Sequence, residues 1–110
     1  MRVLACDPGY NRLGIAVVER AHGTETLVHS TCIITENTLP LPDRLLQIAD
    51  TFSALLTKYD PDAVALESLF FNTNAKTALS VAEVRGVLCF LARKHNCVIY
   101  EYSPQQIKIA

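Results

Sequence analysis

No apolar stretch in this 110-residue chain approaches the roughly 20 residues of a membrane span, so no membrane association is expected. Nor is a secretory leader expected. Met1-Arg2 runs straight into a short strand-like segment that ends in Asp7, and a cytoplasmic location is the expectation. The four cysteines, Cys6, Cys32, Cys89 and Cys97, form no CxxC pair. They sit in apolar runs and read as buried, reduced thiols rather than a zinc site. Repeats, low-complexity tracts and linkers are missing too. So is a basic excess: the formal net charge is −1. That speaks against an extended phosphate-binding surface and leaves room for a local basic face.

What the chain does have is apolar content. Half of its residues are hydrophobic and mean hydropathy is +0.21, enough for a packed core and against disorder. Its length allows one domain. Residues 2–7 read as a central strand and 13–19 as a second. The turn Ala21-His22-Gly23-Thr24 leads to a third, 26–35. In that third strand Val28, Cys32 and Ile34 share one parity and His29 and Thr31 the other, the alternation of a half-buried strand with its apolar side inward. Short turns make these three an antiparallel meander.

The period then changes. Pro40 and Pro42 close a loop and Asp43 favours a helix start. Leu45, Ile48, Phe52, Leu55 and Tyr59 step by three or four, which predicts an amphipathic helix over 43–59 that Asp60-Pro61 stops. Residues 62–67 form a fourth strand, about 74–95 a second helix and 97–102 a fifth strand. Ser103-Pro104 opens a further helix. Right-handed crossovers place strands four and five parallel to strand one, which gives a mixed sheet of order 3-2-1-4-5. The chain stops at Ala110, barely two turns into the last helix, so a single domain over 1–110, truncated or split at its C-terminus, is expected.

This topology makes two acids stand out. Asp7 closes the apolar run Val3-Leu4-Ala5-Cys6, and Glu67 closes Ala63-Val64-Ala65-Leu66. If strands one and four are neighbours, both carboxylates meet at one sheet edge, the usual place for a site in an open α/β sheet and a place to hold a divalent cation. Taken alone, Asp7-Pro8-Gly9 is a common turn, with Gly9 supplying a positive φ and Gly14 a close backbone approach. Phe70 and Phe71 follow in the next loop. They cannot both face the same core, so one packs inward and the other is free to stack on an unpaired base beside the acids. Arg12, Lys76 and Arg85 are candidate phosphate contacts, against a reading as solvated surface charges. The small residues Ala75, Ala78, Ala82 and Gly86 mark the second helix as a candidate dimer interface, or as a face packed on the chain's own sheet.

The blocks Cys6-Asp7-Pro8-Gly9 with Gly14, Ala65-Leu66-Glu67-Ser68-Leu69-Phe70-Phe71, Asn74-Ala75 with Ala78-Leu79, Val84-Arg85-Gly86-Val87, and Tyr100-Glu101-Tyr102 with Gln106-Ile107-Lys108 resemble the RuvC family of Holliday-junction resolvases. The resemblance covers essentially the whole chain, in order. It implies an α/β fold of the RNase H-like, retroviral-integrase type, with helices on both faces of the sheet. It also implies a homodimer that binds four-way junction DNA and nicks it with Mg²⁺ or Mn²⁺, working beside a branch-migration helicase. Asp7 and Glu67 fall on the family's first two catalytic, metal-binding carboxylates and Phe70 on its base-stacking aromatic. Phe71, Asn74, Arg12, Lys76, Arg85 and Lys108 become candidate DNA contacts. The family's two later acids lie beyond position 110, so weak metal binding and little cutting are expected of these residues alone. Three other readings stay open: a non-catalytic dimeric junction-binding scaffold, a YqgF-like RNase H-fold nuclease acting on RNA, and a phosphate-binding fold of the actin, sugar-kinase and Hsp70 type.

Overall fold

The computed structural model describes residues 1–9, 11–36, 38–68 and 75–102. Its strands are β1 (Arg2–Pro8), β2 (Arg12–Ala21), β3 (Thr24–Ile34), β4 (Ala63–Glu67) and β5 (Val98–Tyr102), with helices α1 (Leu41–Tyr59) and α2 (Ala75–Lys94) between them. They form one sheet of order β3-β2-β1-β4-β5, as the meander and the two crossovers require. β1 pairs antiparallel to β2 and parallel to β4, and β4 pairs parallel to β5.

One sheet face carries the core. Leu4 and Cys6 of β1, Leu13, Ile15 and Val17 of β2, and Val64 and Leu66 of β4 pack against Ile48, Phe52 and Leu56 of α1 and Val84, Leu88 and Ala92 of α2. The stripe on α1 recurs every four residues, as a helix laid on a sheet demands. The buried line of α2 is Val84-Leu88-Ala92; Leu79, expected on it, is 62% exposed. Both described helices share this face. The opposite face is an open groove of about 530 Å³ lined by Met1, Val3, Ala5, Val18, Ala65 and Tyr102, among others. The helix expected to begin at 103 lies outside the described residues, so helices are described on one face only.

The third strand departs from its expected orientation. Val17 pairs with His29 but Val18 pairs with Leu27, so Val28 is an extra residue, a β-bulge. One inserted residue reverses the parity of everything beyond it. His29, Thr31 and Ile33 therefore turn toward the helix side, while Val28, Cys32 and Ile34 are exposed. Cys32 is consequently a surface thiol, Cys89 is half-buried, and only Cys6 and Cys97 match the expectation of buried thiols; all four are free. Helix α1 begins two residues before Asp43 and has no side-chain cap. It ends on Asp60, whose left-handed backbone (φ 44°) returns its N–H to the Leu56 carbonyl.

Candidate active site

The β1–β4 register aligns Ala5 with Ala65 and Cys6 with Leu66, and the next residue on each strand is an acid. Parallel strands put equivalent residues side by side, so Asp7 and Glu67 leave the sheet together at its carboxyl edge. Their side chains are within hydrogen-bonding reach. That contact first, then burial, then the Asp7 charge push the Glu67 carboxyl up to about 7 from its ordinary 4.5. At neutral pH Glu67 is therefore only partly ionised. Asp7 is exposed and Glu67 half-buried, so the pair opens to solvent.

Beside Asp7 lies a cleft of about 300 Å³ lined by Ala5, Asp7, Gly14, Ala16, Thr31 and Tyr102, among others. Tyr102 reaches it from β5, where it stands in register with Glu67. Its hydroxyl donates to the Cys6 carbonyl at 2.8 Å. Burial, followed by the Asp7 and Glu67 charges, pushes that hydroxyl up to about 12, so it remains a donor at ordinary pH.

The turn after Asp7 is tightly built. The Gly9 N–H donates to the Arg12 carbonyl at 2.7 Å. A Cβ on Gly9 would stand 2.9 Å from that same oxygen. Close approach, and not the expected positive φ, is therefore what this position requires: among the described glycines only Gly23 has one. Gly14 is the reverse case, since a Cβ there meets Asp7 at an ordinary 3.8 Å. Arg44 anchors the turn from α1. Its Nε donates to Thr35 Oγ1 at 3.2 Å and its Nη2 to Asn11 Oδ1 at 3.0 Å, and the Thr35 N–H donates to the Asn11 carbonyl. The guanidinium is buried, 5% exposed.

Of the other residues singled out in the sequence, Arg12 is exposed at the same sheet end as Asp7. Arg85 pairs with Glu101 of β5. Phe70, Phe71, Asn74 and Lys108 lie outside the described residues, as does the side chain of Lys76. Sequence reasoning passed over Tyr102 and Arg44. Arg44 had a visible signal: it sits four residues before Ile48 on the buried stripe of α1, where an arginine must have partners. Tyr102 had a weaker one, its place at the end of β5 opposite Glu67.

Two facing carboxylates are hard oxygen donors suited to Mg²⁺ or Mn²⁺, and the displaced Glu67 carboxyl marks the charge a cation would relieve. Among the described residues no three His, Cys, Asp or Glu side chains cluster as ligands, so this edge supplies two carboxylates of a coordination sphere.

The sequence model of the family described as crossover junction endodeoxyribonuclease RuvC matches residues 3–110. The chain belongs to the RuvC family. It is 41% identical over 108 residues to RuvC of Alkaliphilus oremlandii, covering 98% of this chain and 66% of the relative. To RuvC of Petrotoga mobilis it is 42% identical over 110 residues, covering 100% and 68%. The structure of Thermus thermophilus RuvC in complex with a Holliday junction substrate superposes with a TM-score of 0.89 at 30% identity, covering 98% of this chain and 68% of that one. The chain thus spans about two thirds of the length of the RuvC relatives it matches.

Proposed function

We propose that this chain acts on four-way DNA junctions as a structure-selective, metal-dependent endonuclease of recombination and repair in the cytoplasm. The observation that carries this reading is the contact between Asp7 and Glu67 at the ends of adjacent parallel strands. Its support from relatives is the junction-bound Thermus thermophilus RuvC. Asp7 and Glu67 would hold Mg²⁺, with Mn²⁺ able to substitute. When bound, such a cation supplies Lewis-acid stabilisation of charge on the phosphodiester and lowers the pKa of a coordinated water.

The chain's own residues set the rest. The Gly9–Arg12 turn, tied to α1 through Asn11 and Arg44, fixes the backbone on which Asp7 is mounted. Glu67 can take a proton at neutral pH, because its carboxyl titrates near 7 while paired with Asp7. Arg12, exposed at the same edge, contacts a phosphate; Phe70 stacks on a base opened at the crossover; and Phe71, Asn74, Lys76, Arg85 and Lys108 extend the DNA surface. For Arg85 this means exchanging Glu101 for a phosphate. A second copy docks along α2, where Leu79, Gly86 and Phe90 are exposed and a Cβ at Gly86 would meet nothing within 4 Å among the described residues.

A synthetic four-way junction tests the reading. Expected are binding by the wild type, Asp7→Asn and Glu67→Gln, and Mg²⁺-dependent nicking by the wild type alone. Undiminished nicking in either variant would end the assignment of that acid. Having only two clustered acids among the described residues favours one second reading, a dimeric scaffold that binds junctions without cutting. Equal gel shifts with and without Mg²⁺, and no nicks, would select it.

A further inference from the structure

The β1–β4 ladder ends at Cys6 and Leu66, one residue short of the two acids. Beyond that point β4 keeps its pairing with β5: the Ser68 N–H donates to the Tyr102 carbonyl at 2.7 Å. The gap between β1 and β4 is bridged instead by a side chain. Tyr102, in register with Glu67, extends its hydroxyl to the Cys6 carbonyl, the peptide that immediately precedes Asp7. Its ring can lie over the sheet because the row beneath is small: Ala16, Ala5 and Ala65 are cross-strand partners, and Ala5 and Ala65 line the open-face groove together with Tyr102.

We propose that Tyr102 is a positioning residue, whose hydroxyl holds the end of β1 against the end of β4–β5 and so fixes where the Asp7 carboxylate stands relative to Glu67. Its backbone carbonyl secures the Glu67 strand and its side chain secures the Asp7 strand, so one residue sets both sides of the pair. Without the hydroxyl, the exit of β1 is free to drift from that of β4. The consequence for cation binding rests on the metal reading above; the consequence for the carboxylates does not.

The test is Tyr102→Phe in the full chain, with Tyr100→Phe as control, a half-exposed tyrosine on the same strand, paired with Ala65. Carbon-13 NMR without metal reads the Cys6 carbonyl and the side-chain carboxyls of Asp7 and Glu67. Manganese EPR reads cation affinity. In Tyr102→Phe the Cys6 carbonyl is expected to lose its hydrogen-bond shift, both carboxyl resonances to move, and Mn²⁺ affinity to fall roughly ten-fold, the scale of losing an outer-sphere support. Tyr100→Phe is expected to match the wild type, and a protected Ser68 amide shows that β4–β5 pairing persists. Wild-type carboxyl resonances and Mn²⁺ affinity in Tyr102→Phe would overturn the proposal. So would a wild-type Cys6 carbonyl with no coupling to the Tyr102 hydroxyl, which needs no variant. If Asp7→Asn leaves Mn²⁺ affinity unchanged, the metal reading fails, and the metal-free carboxyl resonances still decide the role of Tyr102.

Discussion

A carboxyl pushed up to about 7 makes folding itself depend on pH. Glu67 is raised above its ordinary 4.5, first by the hydrogen bond to Asp7. The folded chain therefore keeps a proton that the unfolded chain releases. The resulting stability is complete below about 4.5 and is lost as pH rises through about 7. Glu67→Gln removes the dependence. In metal-free thermal unfolding it should gain on the wild type by roughly 1 kcal/mol between pH 5 and pH 8, after allowance for solvent screening. A constant difference between the two proteins would show that the pair carries no such strain. Gly9 makes a second point at this scale. That a glycine is needed in the turn is plain from Asp7-Pro8-Gly9. The reason was not, because it lies in the approach of Cβ to the Arg12 carbonyl and not in local φ preference. Gly9→Ala must open the Gly9–Arg12 hydrogen bond and should cost about 1–3 kcal/mol in denaturant unfolding.

Elements were legible where their period was unbroken. The two crossover helices and all five strands follow from spacing and turn residues, and the sheet order follows from short turns and right-handed crossovers. β3 shows what defeats such reading. Its apolar parity, Val28-Cys32-Ile34, is sound as a pattern, yet the bulge at Val28 turns that face to solvent. A bulge is a property of pairing with β2, so nothing local to β3 announces it. α2 raises the converse question, because Gly86 costs helix stability without a contact to the described residues in return. Gly86→Ala should therefore stabilise the dilute chain by about 1 kcal/mol in chemical denaturation. If α2 is the dimer face, the same change should weaken self-association in analytical ultracentrifugation. Greater stability with unaltered association would move the interface elsewhere.

Across the whole molecule, the acids could be found from sequence because each ends its own strand, and topology alone brings them together. Tyr102 was harder to find: its bond to the Cys6 carbonyl joins residues 96 apart, and only its place at the end of β5 opposite Glu67 hinted at it. Charge is the remaining global property. With a formal net charge of −1, the chain has no general attraction for a polyanion, and its two clustered carboxylates repel phosphate at the very edge where DNA is expected. Replacing both, as Asp7→Asn/Glu67→Gln, removes two negative charges and takes the formal charge from −1 to +1. At pH 8, where Glu67 is ionised, the double variant should bind a four-way junction several-fold more tightly than the wild type in low salt without divalent cation. The advantage should shrink as salt rises, because screening over about 10 Å at 0.1 M ionic strength mutes the repulsion. Mg²⁺ should narrow the gap further by neutralising the wild-type pair, while doing little to the variant. A gel-shift or anisotropy titration over salt, with and without Mg²⁺, reads all three trends. Equal affinities at low salt would mean that bound DNA keeps clear of the Asp7–Glu67 edge.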